Sequence, residues 1–434
     1  MLKQFKITRL FGERDVQINF DSNIRILVAE NGYGKTTILN ALYYVLSGQG
    51  RKLRKINFQS IELSFMDGDK FEFTPTDLAF SDSYKKSGIY EHFLSILGDS
   101  LLEELIEVYL FGSKTEFKNH PAYKTASRRF GLGDGLPSYF GQLFTNKDPS
   151  SYLKSNKKFQ KIKSKFKSRI LYLPTYRRVE IDFGITSDQE EIKNDGNINF
   201  GMRDVDELIK TVSQEILTSS VEWFSKVNGQ MLSQLVQGFA LDDQTKESIK
   251  NPEAIKIVLD RIGNNIDSAT KQQIIKLIET DKIFIDHDPL IYFISNLTKV
   301  YEQQKENDRA IQSFTEVCNK YLGDKMIKYD ESTVSVEVVR RKNGTPVLME
   351  MLSSGEKQII SLFAKLYLNK QNDVAIFFDE PELSLSMEWQ KNLLPDIINS
   401  GKCSFLFSTT HSPFIFDNDL ISHTVDLAEY IREL

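Results

Sequence analysis

The chain is poor in the residues from which metal centres and disulfide scaffolds are built. Its 434 residues hold two cysteines, Cys318 and Cys403, far apart and in no Cys-x-x-Cys pair. That excludes a cysteine-based zinc site and fits a reducing compartment. Its five histidines are scattered without metal-ligand spacing. A large excess of one charge is missing too. A net charge of −5, with 26% charged residues, is not the signature of a nucleic-acid coat, so any basic surface must be local. No apolar run approaches the length that spans a bilayer, and Met1 to Ile7 alternates like a strand without a signal-peptide core. The expectation is a soluble cytoplasmic protein with no membrane partner. Its length suffices for two or more domains.

What is present is organised around Ala29-Glu30-Asn31-Gly32-Tyr33-Gly34-Lys35-Thr36-Thr37. An apolar run, Ile24 to Val28, precedes it as a buried strand, and Ile38 to Leu42 follows as the first turns of a helix. Strand, glycine-bearing loop ending in Gly-Lys-Thr, then helix is the context that gives a P-loop its physical meaning. Backbone N–H groups at a helix N-terminus make an anion site. Lys35 can reach the β- and γ-phosphates, and the Thr36 hydroxyl can hold Mg²⁺. Asn31, Gly32, Tyr33, Gly34, Lys35, Thr36 and Thr37 are therefore the expected ATP-binding loop. Ala29 stands where a first glycine is usual, which costs little unless the backbone needs a positive φ.

Residues 1–28 read as three short strands. Beyond the P-loop helix lie a basic knot, Arg51 to Lys55, and two alternating runs, Ile61 to Phe65 and Lys70 to Phe73. Asp67-Gly68 between those runs is a hairpin signal. Leu94 to Ile106 suggests a helix, and Gly131 to Gly135 with Pro137 an irregular loop. Lys154 to Arg169 is strongly basic: it either tracks a phosphate backbone, making DNA a partner, or is a solvated face. Few aromatics accompany it, which favours the second. Ile170 to Pro174 is a buried strand, followed by Arg177 and Arg178, which either face a phosphate cleft or form structural ion pairs. Residues 185–200 read as a polar loop and 203–322 as helices, with Val205, Leu208, Ile209, Val212, Ile216 and Leu217 on one stripe. Without sustained heptads, a compact helical subdomain is expected rather than a coiled-coil arm. The last stretch returns to strand and helix, with a hairpin turn at Lys342-Asn343-Gly344. The expected division is an N-terminal ATPase lobe at 1–184, a helical insertion at 185–322 and a C-terminal ATPase lobe at 323–434. The fold class is α/β, with an antiparallel β-subdomain beside a parallel sheet.

Val374 to Phe378 ends in Asp379-Glu380, as a Walker B strand does. There Asp379 can hold Mg²⁺ while Glu380 polarises the attacking water. Leu352-Ser353-Ser354-Gly355-Glu356 opens a helix about twenty residues earlier. Thr409-Thr410-His411-Ser412-Pro413 follows the next apolar strand. Together these segments resemble the ABC-type P-loop ATPases of the SMC/RecF/OLD kind, and Asp379-Glu380-Pro381-Glu382-Leu383 resembles their AAA-type branch in DNA repair and phage defence.

The resemblance implies that Ser354, Gly355 and Glu356 form a signature motif, and that His411 is a switch histidine beside the γ-phosphate. It also implies that the motif of one protomer closes the site of another, hence at least a dimer and a higher homo-oligomer. ATP and Mg²⁺ are the implied cofactors. Two departures stand out: Leu383 to Ser386 lacks the usual D-loop aspartate, and no Q-loop glutamine can be named. Only 23 residues follow His411, so no C-terminal Toprim nuclease of the OLD kind is expected. The chain is similar to ATPase subunits of two-gene phage-defence systems, the PARIS ATPase first, then those of Septu and of retrons. The implied function is a sensor or scaffold that holds and releases an effector nuclease encoded nearby, triggered by a phage protein. The other reading is a RecF-like repair ATPase that binds DNA directly. A transporter subunit suits neither the insertion nor the Asp-Glu-Pro-Glu segment.

Overall fold

A computed structural model describes residues 1–30, 32–78, 85, 87–111, 114–131, 133–144, 150–175, 202–239, 241–249, 251–262, 266–370 and 372–434. Arg177, Arg178 and the polar loop 185–200 lie outside these residues. The strands are β1 Leu2–Leu10, β2 Arg14–Asn19, β3 Ile24–Val28, β4 Ser60–Phe65, β5 Lys70–Phe73 and β6 Arg169–Leu173, then β7 Lys325–Asp330 and β8 Ser335–Arg340. They end with β9 Val374–Asp379, β10 Cys403–Thr410, β11 Thr424–Asp426 and β12 Ile431–Glu433. Two compact units emerge, Met1–Asn199 with Gln371–Leu434, and Phe200–Lys370.

The first unit contains both sheets expected of an α/β nucleotide lobe. One is antiparallel in the order β12-β2-β1-β4-β5, and the other is parallel in the order β11-β3-β10-β9-β6. In β1, Phe5 and Ile7 are buried between the partly exposed Lys6 and Thr8, the period of a one-faced strand. β9 is buried along its whole length, which is why it reads as an unbroken apolar run. Gly68, at φ +94, makes the β4–β5 turn. The helix Lys35–Ser47 is held on the parallel sheet by aromatic rings. Tyr43 stacks on Tyr172 of β6 at 4.6 Å and meets Phe377 of β9 at 5.9 Å. Phe377 in turn touches Phe405 and Phe407 of β10. Two short strands had no sequence signal: β11 adds an edge beside β3, and β12 adds one beside β2.

The basic run forms most of the helix Ser150–Lys165. Phe159 and Ile162 are buried, and Phe159 stacks on Phe73 at 4.5 Å. Lys158 pairs with Asp77, Lys163 with Glu116, and Lys165 with Asp67 and Asp69. Gly131 closes the helix Pro121–Phe130, and Gly133 to Gly135 make a 3₁₀ turn into a further short helix over Leu136–Gly141.

The second unit is mainly helical. Its helices Met202–Gln237 and Asp288–Asn319 have 36 and 32 residues, so each is about 50 Å long. They pack on one another. Shorter helices between them begin on side-chain caps: Asp242 accepts from Thr245 N–H, Asn251 from Ala254 N–H and Asp267 from Thr270 N–H. The compact unit ends at Lys370 rather than at the expected boundary of 322/323. The reason is local bonding. Asn319 exchanges hydrogen bonds with the Ile327 backbone at 2.7 and 2.8 Å, Arg341 donates to the Asn319 and Leu322 carbonyls, and Tyr321 meets Phe363 at 5.8 Å. β7 and β8 pair antiparallel through a turn in which Asp330 accepts from Ser332 and Thr333 N–H. Lys342-Asn343-Gly344 makes a different reversal, bringing Val347 N–H onto the Val338 carbonyl at 2.8 Å.

One charged node is buried in this unit. Arg261 donates to Asp308 at 2.7 Å, to Gln304 at 2.8 Å and to the Glu331 carbonyl at 2.9 Å. The Tyr329 hydroxyl also donates to Asp308, and burial, followed by that bond, pushes the phenol well above its usual range. Removing one partner of such a pair strands the other charge away from water. Asp308→Ala is therefore expected to destabilise the second unit by about 3–5 kcal/mol, read as a lower midpoint in urea unfolding followed by circular dichroism. An unchanged midpoint would mean that water reaches Arg261.

Candidate nucleotide site

The P-loop leaves β3 at Val28 and turns into the helix at Lys35. Gly32 and Gly34 take φ of +92 and +83, a region that side chains resist. Ala29 is buried and takes no positive φ, so alanine fits there. The buried Lys35 ammonium donates to the Ala29 carbonyl at 2.6 Å and the Glu30 carbonyl at 3.1 Å. It thus folds over the loop whose N–H groups would face phosphate. Tyr33 is exposed, Thr37 lies in the first turn of the helix, and Asn31 falls outside the described residues.

Asp379, at the end of β9, is 1% exposed. Three hydroxyls donate to its carboxylate: Thr36 at 2.9 Å, Thr409 at 2.7 Å and Thr175 at 2.9 Å. They come from the P-loop after β3, from β10 and from just beyond β6. The order β3-β10-β9-β6 brings these strand ends side by side, as parallel sheets do at their C-terminal edges. Thr36 and Asp379 offer hard oxygen donors in mutual contact, which suits Mg²⁺, since that ion takes few protein ligands and completes its shell with phosphate and water.

Glu380 follows at φ +50, with its N–H on the Thr409 carbonyl at 2.9 Å. Burial, then the Asp379 and Glu382 carboxylates, raise its carboxyl above the ordinary value. His411 lies nearby, with Nδ1 3.8 Å from Glu380 and 3.1 Å from Glu382. Glu382 is 6% exposed and also accepts the His411 backbone N–H at 2.9 Å. The expected base and the expected switch histidine therefore converge on one strand-end cluster with the P-loop.

The signature segment belongs to the second unit. Ser353, not Ser354, caps the helix Ser354–Tyr367, in a capping box with Glu356. Glu356 is buried, and its carboxylate accepts from Ser353 N–H at 2.8 Å and from Lys325 at 3.0 Å. Hydrogen bonding to Glu356 raises the Lys325 ammonium above its usual value. Of the three candidates, Ser354 is exposed while Gly355 and Glu356 are buried.

Sequence reasoning missed Thr175, Thr409 and Glu382 as members of the site. The signal available was a threonine just beyond one apolar strand and at the end of another, and a second glutamate in Asp-Glu-Pro-Glu.

Residues 1–416 match the model of the family AAA_15, described as an AAA ATPase domain. The "Uncharacterized protein 050L" of Invertebrate iridescent virus 6 is 22% identical over 339 residues, 68% of this chain and 31% of the relative. The "Retron Ec83 probable ATPase" of Escherichia coli is 25% identical over 159 residues, 34% of this chain and 28% of the relative. The chain thus spans about a third or less of the curated relatives it matches. Among solved structures, an Smc head domain of Pyrococcus furiosus bound to the C-terminal domain of ScpA covers 100% of this chain and 96% of its own, at 13% identity and a TM-score of 0.37. One from Pyrococcus yayanosii, at 12% identity, scores 0.32. Superpositions at those scores add nothing to the site geometry.

Lys35→Ala is expected to weaken ATP binding roughly tenfold to a hundredfold, the worth of a charge-assisted hydrogen bond. Titration calorimetry with ATP checks this, and an unaltered affinity would remove Lys35 from the site.

Proposed function

The chain belongs to the AAA ATPase domain family, and from that premise we propose that it binds ATP with Mg²⁺, hydrolyses it, and uses the cycle to hold and release a partner nuclease. The observation that carries hydrolysis is the convergence of Thr36, Asp379, Glu380 and His411 at neighbouring strand ends. Gly32 to Thr37 and the helix N-terminus receive the phosphates, and Lys35 exchanges two neutral carbonyls for an anionic partner. Thr36 and Asp379 hold Mg²⁺, which when bound supplies charge neutralisation at the β- and γ-phosphates. Glu380 orients and polarises the attacking water, and His411 contacts the γ-phosphate. Ser354 and Gly355, presented by a neighbouring protomer, would complete the site, so turnover requires at least a dimer.

The defence role rests on the partial likeness to the retron ATPase and on the resemblance to two-gene systems of the PARIS, Septu and retron kinds. In that reading a phage protein shifts the ATP-bound oligomer and frees the effector. The RecF-like alternative would use Lys154 to Arg169 on DNA, and the ion pairs of Lys158, Lys163 and Lys165 count against it.

Glu380→Gln is expected to bind ATP, lose at least about a hundredfold in turnover, and accumulate as an ATP-bound oligomer. Mass photometry of parent and variant, each purified with the neighbouring gene product with and without ATP, reads this directly. A large complex that retains the neighbour supports the scaffold role. A lone ATP-dependent dimer that captures DNA would replace it with the repair role.

A further inference from the structure

We propose that Glu382 is a positioning residue of the nucleotide site, a buried clamp that fixes the ring of His411 against the turn carrying Glu380. This rests on the ATPase reading given above and names a group that the P-loop and Walker B patterns do not include.

Burying a carboxylate is costly unless its oxygens are satisfied. One oxygen of Glu382 accepts the His411 backbone N–H at 2.9 Å and lies 3.1 Å from the ring Nδ1. The other, Oε2, has no hydrogen-bond partner among the described residues. A carboxylate can only accept, so a proton on Nδ1 is the arrangement that this contact favours. That contact biases the tautomer and the plane of the ring, and it leaves Nε2 as the nitrogen directed elsewhere. Glu382 thus does for His411 what an orienting acid does for a catalytic imidazole.

The backbone supports the same reading. Glu380 and Ser384, two residues to either side of Glu382, sit at φ +50 and +65. Non-glycine residues keep such angles only where their surroundings impose them. Gln390, on the helix Met387–Asn399, donates to the Glu382 carbonyl at 3.3 Å and the Leu385 carbonyl at 3.0 Å. Its Oε1 accepts from the Ser412 hydroxyl at 2.6 Å. One side chain therefore fastens the turn after β9 and the loop after β10, and Glu382 joins the same two segments through charge. A buried acid with one oxygen unpartnered among the described residues is poorly suited to stability alone. A neutral residue of similar shape would cost less to bury.

The test uses the full chain in four forms: parent, Glu382→Gln, His411→Ala and the double variant. Glu382→Gln is expected to lower kcat about tenfold to a hundredfold, as lost orienting partners do, with ATP affinity held within about threefold. The double variant should turn over no more slowly than His411→Ala, because residues that act through one another do not add. Full turnover in Glu382→Gln, or losses that multiply in the double variant, would overturn the clamp. Ring ¹⁵N shifts of His411, assigned through His411→Ala, provide a second readout that does not depend on turnover. The Nδ1–H tautomer in the parent and a mixture in Glu382→Gln support the clamp, and identical spectra refute it. A parent protein that releases no phosphate while showing the expected shifts would refute hydrolysis and leave the clamp standing.

Discussion

Most of the first unit follows from the need to satisfy one carboxylate buried inside the protein. Asp379 is almost fully buried at the end of a strand whose other residues are apolar. Taking such a group from water costs several kcal/mol unless hydrogen bonds replace the hydration. Three threonine hydroxyls provide that replacement, and they arrive from three other segments. The strand order around β9 is the arrangement that lets them meet. The aromatic contacts of Tyr43, Tyr172 and Phe377 serve the same end, because they fix the P-loop helix, and with it Thr36, at the height of the strand ends.

Much of this was legible in the sequence because the relevant signals are local. Ile24 to Thr37 announces strand, loop and helix within one window, and Val374 to Glu380 announces a buried strand ending in acids. The hairpin at Asp67-Gly68 and the helix Met387–Asn399 are likewise local patterns. Thr175, Thr409 and Glu382 were harder to read, since their roles depend on which strand ends become neighbours. Only the fold brings Thr175 to Asp379, 204 positions away in sequence. The two short C-terminal strands escaped for another reason: three residues carry no periodicity.

Charge was the least readable feature. The lysine-rich stretch before β6 looks like a patch when read as a line, yet folding it into a helix sets Lys158, Lys163 and Lys165 opposite acids from distant positions. The apolar side of that helix packs into the core through Phe159 and Ile162. Glu356 shows the reverse case. Its place in a resembled motif suggested a ligand contact, whereas local chemistry makes it the acidic half of a capping box, tied to Lys325. A motif fixes the residue type at a position without fixing which of its neighbours that residue serves.

The pairing of β3 with β10 sets the order in which the protein can mature. Ile24 to Val28 lies beside Leu406 to Thr410, so nearly the whole chain separates two adjacent strands of the parallel sheet. Such distant pairings form late, because a large loop must close before any bond between the strands repays its entropy. A ribosome releases the P-loop long before β10. During that interval Thr36 has no Asp379 to meet, and the helix that follows the loop has no sheet to rest on. The Thr36–Asp379 contact is thereby postponed until β9 and β10 have both been made, and a product truncated before β10 would lack the Thr409 hydroxyl that holds Asp379.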